Sequence, residues 1–277
     1  RDLITFTPSV RFSFFVPLLL SMVICIYGYF EAWNIHTEKV LIKTAKIPEA
    51  VGRLRIVQIS DVHIGLIIRE GKLKKVIEEV KKAEPDILVS TGDLVDGQIN
   101  RLSGLSELLK EFNPRYGKFA VTGNHEFYAG LDYAIDFTEK AGFTVLRGKG
   151  VNVSDIITIV GVDDPVGKGY NLFKDVSEKE LLSEHAGGKF TLLLKHRPIV
   201  DKDALGLFDL QLSGHVHKGQ IFPFSLITRL YYRYTDSGKL RLLDNSYLYV
   251  SRGSGTWGPP IRFLSPPEVT VIELVRP

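Results

Sequence analysis

The apolar positions of this chain change their spacing along its length, beginning with an unbroken run from Phe12 to Phe30 that contains no charge, F-S-F-F-V-P-L-L-L-S-M-V-I-C-I-Y-G-Y-F. It predicts a transmembrane helix, because about 20 helical residues cross about 30 Å of hydrocarbon. Tyr27, Tyr29, Phe30 and Trp33 crowd its C-terminal end, where aromatic rings favour a membrane–water interface. No small-residue cleavage site follows, which disfavours a cleaved signal peptide. Arg1 and Arg11 on one side face Lys39, Lys43 and Lys46 on the other, so the cations assign no orientation. The first residue is Arg1 rather than Met, so an upstream segment with further spans is compatible with the sequence.

Beyond a mixed, polar stretch to Gly52, which holds a short strand at Val40 to Thr44, strand and helix periods alternate. L-R-I-V-Q-I (Leu54 to Ile59) predicts a buried strand, and Gly71 to Ala83 a helix with Leu73, Val76, Ile77 and Val80 on one face. Strands at Asp86 to Ser90 and Lys118 to Val121 are followed by helices at Leu105 to Phe112 and Leu131 to Ala141. Ile156 to Val162 reads as a further strand, and Ser177 with Glu180 as the capping box of a helix ending before Gly187. Phe190 to Leu194, Asp209 to Ser213, Tyr247 to Ser251 and Glu268 to Leu274 read as strands. The pattern predicts an α/β layered fold with mixed sheets: a membrane segment over 1–34 with its span at about 12–30, a linker and strand over 35–52, and one main domain over 53–277.

Composition adds little to this picture. The 277 residues are 44% hydrophobic and 24% charged, enough for a packed core. The net charge of +3 gives no reason to expect nucleic acid, and Cys25 alone forms no internal disulfide.

The chemistry lies in the few residues just past the end of each strand. S-D-V-H brings Asp61 and His63, T-G-D-L-V-D brings Asp93 and Asp96, and T-G-N-H-E brings Asn124 and His125. K-H-R-P then brings His196, and S-G-H-V-H-K-G-Q brings His215 and His217. Five of the seven histidines therefore stand at strand ends, where open α/β sheets place their ligand sites. His36 and His185 read as structural. Carboxylate, amide and imidazole donors without thiolate suit a pair of divalent ions such as Mn, Fe or Zn, bridged by one carboxylate. Two ions about 3.5–4 Å apart hold a bridging hydroxide and polarise a phosphoryl group, which points to phosphoester hydrolysis.

The ordered motifs D-V-H, G-D-L-V-D, G-N-H-E, K-H and G-H-V-H resemble the calcineurin-like metallophosphoesterase superfamily. The likeness implies a four-layer α-β-β-α sandwich of two mixed sheets, with Asp61, His63 and His217 on one metal, Asn124, His196 and His215 on the other, and Asp93 between them. It also implies that His125 is no ligand but a general acid or charge stabiliser, oriented by Asp96. V-Q-I-S-D-V-H, the membrane segment and S-R-G-S-G-T-W-G-P-P-I-R look like the bacterial membrane-associated branch, which implies a cell-membrane location with the side of the catalytic domain open. Members of that branch commonly read G-H-x-H-G-G-Q; here Lys218 replaces the first of the paired glycines, as a phosphate contact or a solvent-facing lysine. Gly97 follows G-D-L-V-D where the superfamily's phosphoprotein phosphatases carry arginine, which weakens a protein-phosphatase reading and leaves Arg197, Arg252 or Arg262 to meet phosphate from elsewhere.

Ile221 to Tyr234 combines Phe222, Phe224, Leu226, Ile227 and Leu230 with Arg229 and Arg233 and lacks a carboxylate before Tyr234. That composition suits a lid for a lipid-linked phosphoester at a membrane surface, and equally a core-packed hairpin with snorkelling arginines. Three readings stay open on the sequence alone: hydrolysis of a lipid-linked phosphodiester or pyrophosphate, hydrolysis of soluble nucleotides and other diesters by a tethered enzyme, or an inactive membrane scaffold on a phosphoesterase fold, which the complete ligand set disfavours.

Overall fold

The computed structural model describes residues 8–65, 70–97, 104–232, 237–243 and 245–277, so Arg1, Arg233 and Tyr234 lie outside the described residues. Helix α1 (Val10–Trp33) begins where Ser9 Oγ accepts from the Phe12 amide and runs 24 residues. At about 1.5 Å per residue it is longer than the roughly 30 Å hydrocarbon layer, so it is long and apolar enough to cross a membrane. Among its residues only Gly28 and Ala32, near the end, are buried.

Behind it stand two mixed sheets. In spatial order the first holds β1 (His36–Lys43), β12 (Glu268–Val275), β2 (Arg53–Ile59), β3 (Ile87–Ser90), β4 (Lys118–Ala120) and β5 (Thr144–Val145). The second holds β10 (Gly238–Arg241), β11 (Tyr247–Val250), β9 (Leu210–Ser213), β8 (Phe190–Leu194), β7 (Ile157–Gly161) and β6 (Lys149–Val153). β1, in the stretch that follows the span, pairs in parallel with β12 from the far end of the chain, His36 facing Glu268.

Strand period 2 explains the layers. Leu54 and Ile56 of β2 point inward with Val89, against Ile159, Leu192 and Leu212 of the second sheet. Their neighbours Val57 and Ile59 point outward, onto α2 (Glu70–Lys82), α3 (Leu105–Lys110) and α5 (Leu131–Lys140). Leu73, Val76, Ile77 and Val80 are the buried face of α2, as their spacing requires. On the other outer face, Val160, Leu193 and Val250 pack with Leu181 and Leu182 of α6 (Glu178–Glu184), whose N-cap is Ser177. The result is the four-layer sandwich.

Several elements differ from the sequence reading, which places no helix at Asn124–Ala129 and neither β5 nor β10. The run after His217 forms no hairpin: its centre is helix α7 (Phe224–Tyr231), none of whose residues is buried. β6 pairs antiparallel with β7 through a turn in which Ser154 and Asp155 both have positive φ. That is the geometry glycine and asparagine usually supply, and their absence hides the turn.

Candidate metal centre

Because β2, β3 and β4 are parallel, and β8 and β9 likewise, their C-terminal ends lie along one edge of each sheet. The loops leaving those ends are stitched together by backbone hydrogen bonds: the Asp61 amide donates to Gly92 O (3.0 Å) and the His63 amide to Asp93 O (3.0 Å). Asp61, His63, Asp93, His215 and His217 all have positive φ. Side-chain-bearing residues adopt this conformation at a cost of about 1–3 kcal/mol each, and such strain gathers at functional sites.

Two glycines let the loops close. A Cβ on Gly214 would stand 1.9 Å from Ser60 Oγ and 2.2 Å from Asp61 Oδ2, and one on Gly123 would stand 2.2 Å from Asp93 Oδ1. With neither present, the His215 amide reaches Asp61 Oδ1 at 3.0 Å and the His125 amide reaches Asp93 Oδ1 at 2.8 Å.

His63, Asp93 and His125 lie close enough together to share a cation, and the expected donors meet in two groups. Asp61, His63 and His217 form one, with His217 Nε2 3.4 Å from Asp61 Oδ1 and 3.1 Å from His63 Nε2. Asp93, His196 and His215 form the other, with His196 Nε2 3.2 Å from Asp93 Oδ2 and 3.2 Å from His215 Nδ1. Asp93 also lies 3.9 Å from His63 Nε2, so its carboxylate stands between the two groups. Two nitrogens about 2.1 Å from one tetrahedral cation lie about 3.4 Å apart. The imidazole spacings of 3.1 and 3.2 Å are close to that value. Asn124 Oδ1 is buried and has no hydrogen-bond partner, a free acceptor of the kind a cation satisfies. The donor set and this orphaned oxygen fit divalent metal ions.

The electrostatics act differently on the different donors. Burial pushes Asp61 upward, and the charge of Asp93 adds to it against the nearby imidazoles. Burial acts the same way on Asp93, but His196, His63 and His125 outweigh it and hold that carboxyl below the usual range. Burial pushes His215 down to about 3, with His196 next in importance, and takes His217 well below its ordinary value. His63, His215 and His217 are thereby kept neutral and ready to ligate, whereas at His196 burial is outweighed by the Asp93 carboxylate, which raises it to about 10, so a cation there would displace a proton. His125 rises instead: burial opposes it, but Asp96 Oδ1 lies 2.9 Å from its Nδ1.

The remaining expected positions divide. Phe224 lines a cleft of 810 Å³ that reaches His63, Asp93, Asn124 and His215. Lys218, Phe222 and Arg229 are not among its lining residues. Lys218 has φ +50 and ψ +37, a left-handed position that glycine adopts more easily. Arg262 is corrected from substrate contact to structural support: it is 0% exposed, and its guanidinium donates to the carbonyls of Arg252, Gly253, Gly255 and Ser265. Its Nη2 also lies 3.0 Å from His217 Nδ1. Arg197 is held by Asp164 at 2.7 Å, and Arg252 by Glu38 and Glu268, so these cations are engaged as well. His36 and His185 bond locally, to Asn34 and to Leu181 O.

Sequence reasoning missed Glu126, the last letter of G-N-H-E. It is buried and accepts from the amides of Asp93 (2.9 Å), Leu94 (2.8 Å) and Gly123 (2.6 Å), fixing the loop that carries Asp93. Its place beside the ligands was the only available signal. Of the cleft walls, Trp257 stands in the S-R-G-S-G-T-W-G-P-P-I-R phrase and Tyr232 in the aromatic run, whereas Tyr128 leaves no signal.

A layered α/β fold with these clustered donors at its strand ends defines a metal-dependent phosphoesterase. The model of the calcineurin-like phosphoesterase family matches residues 54–219, and the chain belongs to that family. An uncharacterized metallophosphoesterase of Aquifex aeolicus (strain VF5) is 42% identical over 260 residues, covering 93% of this chain and 98% of that one. The uncharacterized metallophosphoesterase YkuE of Bacillus subtilis (strain 168) is 33% identical over 266 residues, 90% of this chain and 89% of its own. A transmembrane protein with metallophosphoesterase domain from Danio rerio is 32% identical over 277 residues; the match takes in 94% of this chain and 62% of that one.

Proposed function

We propose that the chain is a membrane-anchored hydrolase with a two-ion centre that cleaves a phosphodiester or pyrophosphate bond in a lipid-linked substrate. Asp61, His63 and His217 would hold one divalent ion, Asn124, His196 and His215 the other, and Asp93 would serve both; Mn, Fe or Zn suits these donors. Such ions, when bound, activate water and offset charge on phosphoryl oxygens during in-line displacement. Asp96 keeps the His125 ring in place and favours its doubly protonated form, so that Nε2–H can donate to the leaving oxygen. The length and composition of α1 support the anchor, and one relative carries the name of a transmembrane protein.

The observation that carries the lipid reading is the make-up of the cleft. Its floor is the cluster around Asp93, while Phe224, Ile227, Trp257 and Pro259 form apolar wall. An amphiphile with its phosphate on the floor and its chains against the wall meets complementary chemistry at both ends. Phe224→Ser/Ile227→Ser is expected to cost about thirtyfold in kcat/KM on a lipidated diester, from about 2 kcal/mol of lost apolar contact. A short-chain, water-soluble diester should be turned over unchanged. Equal losses on both substrates, or equal efficiency of the parent protein on both, would overturn the lipid reading and favour soluble diesters.

A further inference from the structure

We propose that α7 seats the mouth of the cleft on the membrane that α1 enters, its apolar side chains lying among the lipid headgroups, so that substrate enters from the bilayer plane. The partner is the lipid surface itself. The proposal rests on α1 as the anchor and on no particular substrate.

The first observation is the face α7 leaves uncovered. Leu226, Ile227, Leu230 and Tyr231 are 56%, 61%, 84% and 75% exposed, and Phe222 just before the helix is exposed as well. Phe224 and Ile227 look into the cleft, whereas Leu226 and Leu230, four residues apart, share a stripe beside it. Folding covers little of these side chains, although a protein in water stabilises itself by burying such groups.

The second observation is position. Ile221 bridges Phe263, and the Phe222 amide donates to Phe263 O at 3.0 Å. The same 261–264 segment is pressed on the last turns of α1: the Arg262 amide donates to Gly28 O at 2.9 Å, and a Cβ on Gly28 would stand 2.4 Å from Ile261 Cγ2. Tyr27 sets its ring edge-on to Phe263, with centroids 5.7 Å apart. Tyr27 belongs to the aromatic group that marks the end of the span, the depth at which such rings meet headgroups. The chain entering α7 is one strand spacing, about 4.8 Å, from the segment that touches this belt. It therefore starts at headgroup depth.

The third observation is charge. From Lys218 to Tyr232 the charged residues are Lys218 and Arg229, and from Gly255 to Leu264 only the buried Arg262. Apart from Glu31, whose carboxylate accepts from the Leu264 amide at 2.8 Å, this surface carries exposed apolar groups and cations, which suits an anionic interface. Trp257, 59% exposed, completes the rim, tied to the start of α7 by paired hydrogen bonds of 2.7 Å with Gln220.

Trp33 and Trp257 are the two tryptophans of the chain, which makes the test direct. The full chain, as Trp33→Phe, is reconstituted in phosphatidylcholine–phosphatidylglycerol vesicles whose acyl chains carry bromine, a short-range quencher. Trp257 emission is expected to be quenched to a degree comparable with Trp33 in the companion Trp257→Phe protein. Leu226→Glu/Leu230→Glu should remove most of the Trp257 quenching, spare that of Trp33, and leave turnover of a water-soluble diester unchanged. Trp257 emission that ignores brominated lipid while Trp33 responds overturns the proposal, as does crosslinking of α7 to α7 between two copies in its place. A preference for lipidated substrate that persists in detergent would then show that the lipid reading survives without the docking surface. Quenching without that preference would show the reverse.

Discussion

Replacing Asp93 by asparagine is expected to lower kcat by about a thousandfold, equivalent to about 4 kcal/mol of transition-state stabilisation. The change leaves shape nearly intact: an amide of the same size retains an acceptor for the His125 amide, which Oδ1 now receives at 2.8 Å. It removes a full negative charge from between two imidazole groups, 3.2 Å from His196 Nε2 and 3.9 Å from His63 Nε2. A neutral amide bridges two cations poorly, so retained metal should fall along with rate. Circular dichroism and melting temperature should stay close to those of the parent protein, because Glu126 continues to hold the loop. Hydrolysis undiminished in Asp93→Asn contradicts the bridging role.

The second large effect is expected at Arg262, far from any direct contact with substrate. Arg262→Met should reduce stability by about 3–5 kcal/mol, since a buried polar network loses its central donor. The carbonyls of Arg252, Gly253, Gly255 and Ser265 and the Nδ1 of His217 lose their partner together, and each unsatisfied acceptor costs about 1–3 kcal/mol before relaxation. His217 loses the group that orients its ring, which should weaken metal binding by about 10–100-fold. Chemical denaturation and metal titration read the two effects separately. Arg262→Lys, which keeps charge but not the fork of donors, should recover little of either. A protein as stable as the parent, with unaltered metal affinity, contradicts the support role.

How much of the molecule is legible in the chain depends on how local each signal is. The metal cluster was legible because every donor stands within a few residues of its own apolar strand, so placing the strands placed the donors. The face of α2 was legible for the same reason, its four apolar positions recurring at helical spacing. Arg262 was misread because its partners are carbonyls brought together by folding, and no side-chain pattern records them. The pairing of β1 with β12 joins residues from opposite ends of the domain, beyond the reach of periodicity. The run at α7 has helical spacing, but with apolar groups on nearly every side its short length did not distinguish a helix from a hairpin. The Ser154–Asp155 turn was hidden because its residues are not those that usually adopt positive φ.

In the proposed centre each half supplies three donors besides Asp93, and counting bound metal tests their joint use most directly. Elemental analysis of the full chain, purified in detergent and freed of loosely held ions, should find two divalent ions per chain. A chelator that strips them should abolish hydrolysis, and restoring them should return it. A preparation that hydrolyses phosphoesters at full rate with no divalent ion bound, or that saturates at one, contradicts the two-ion centre.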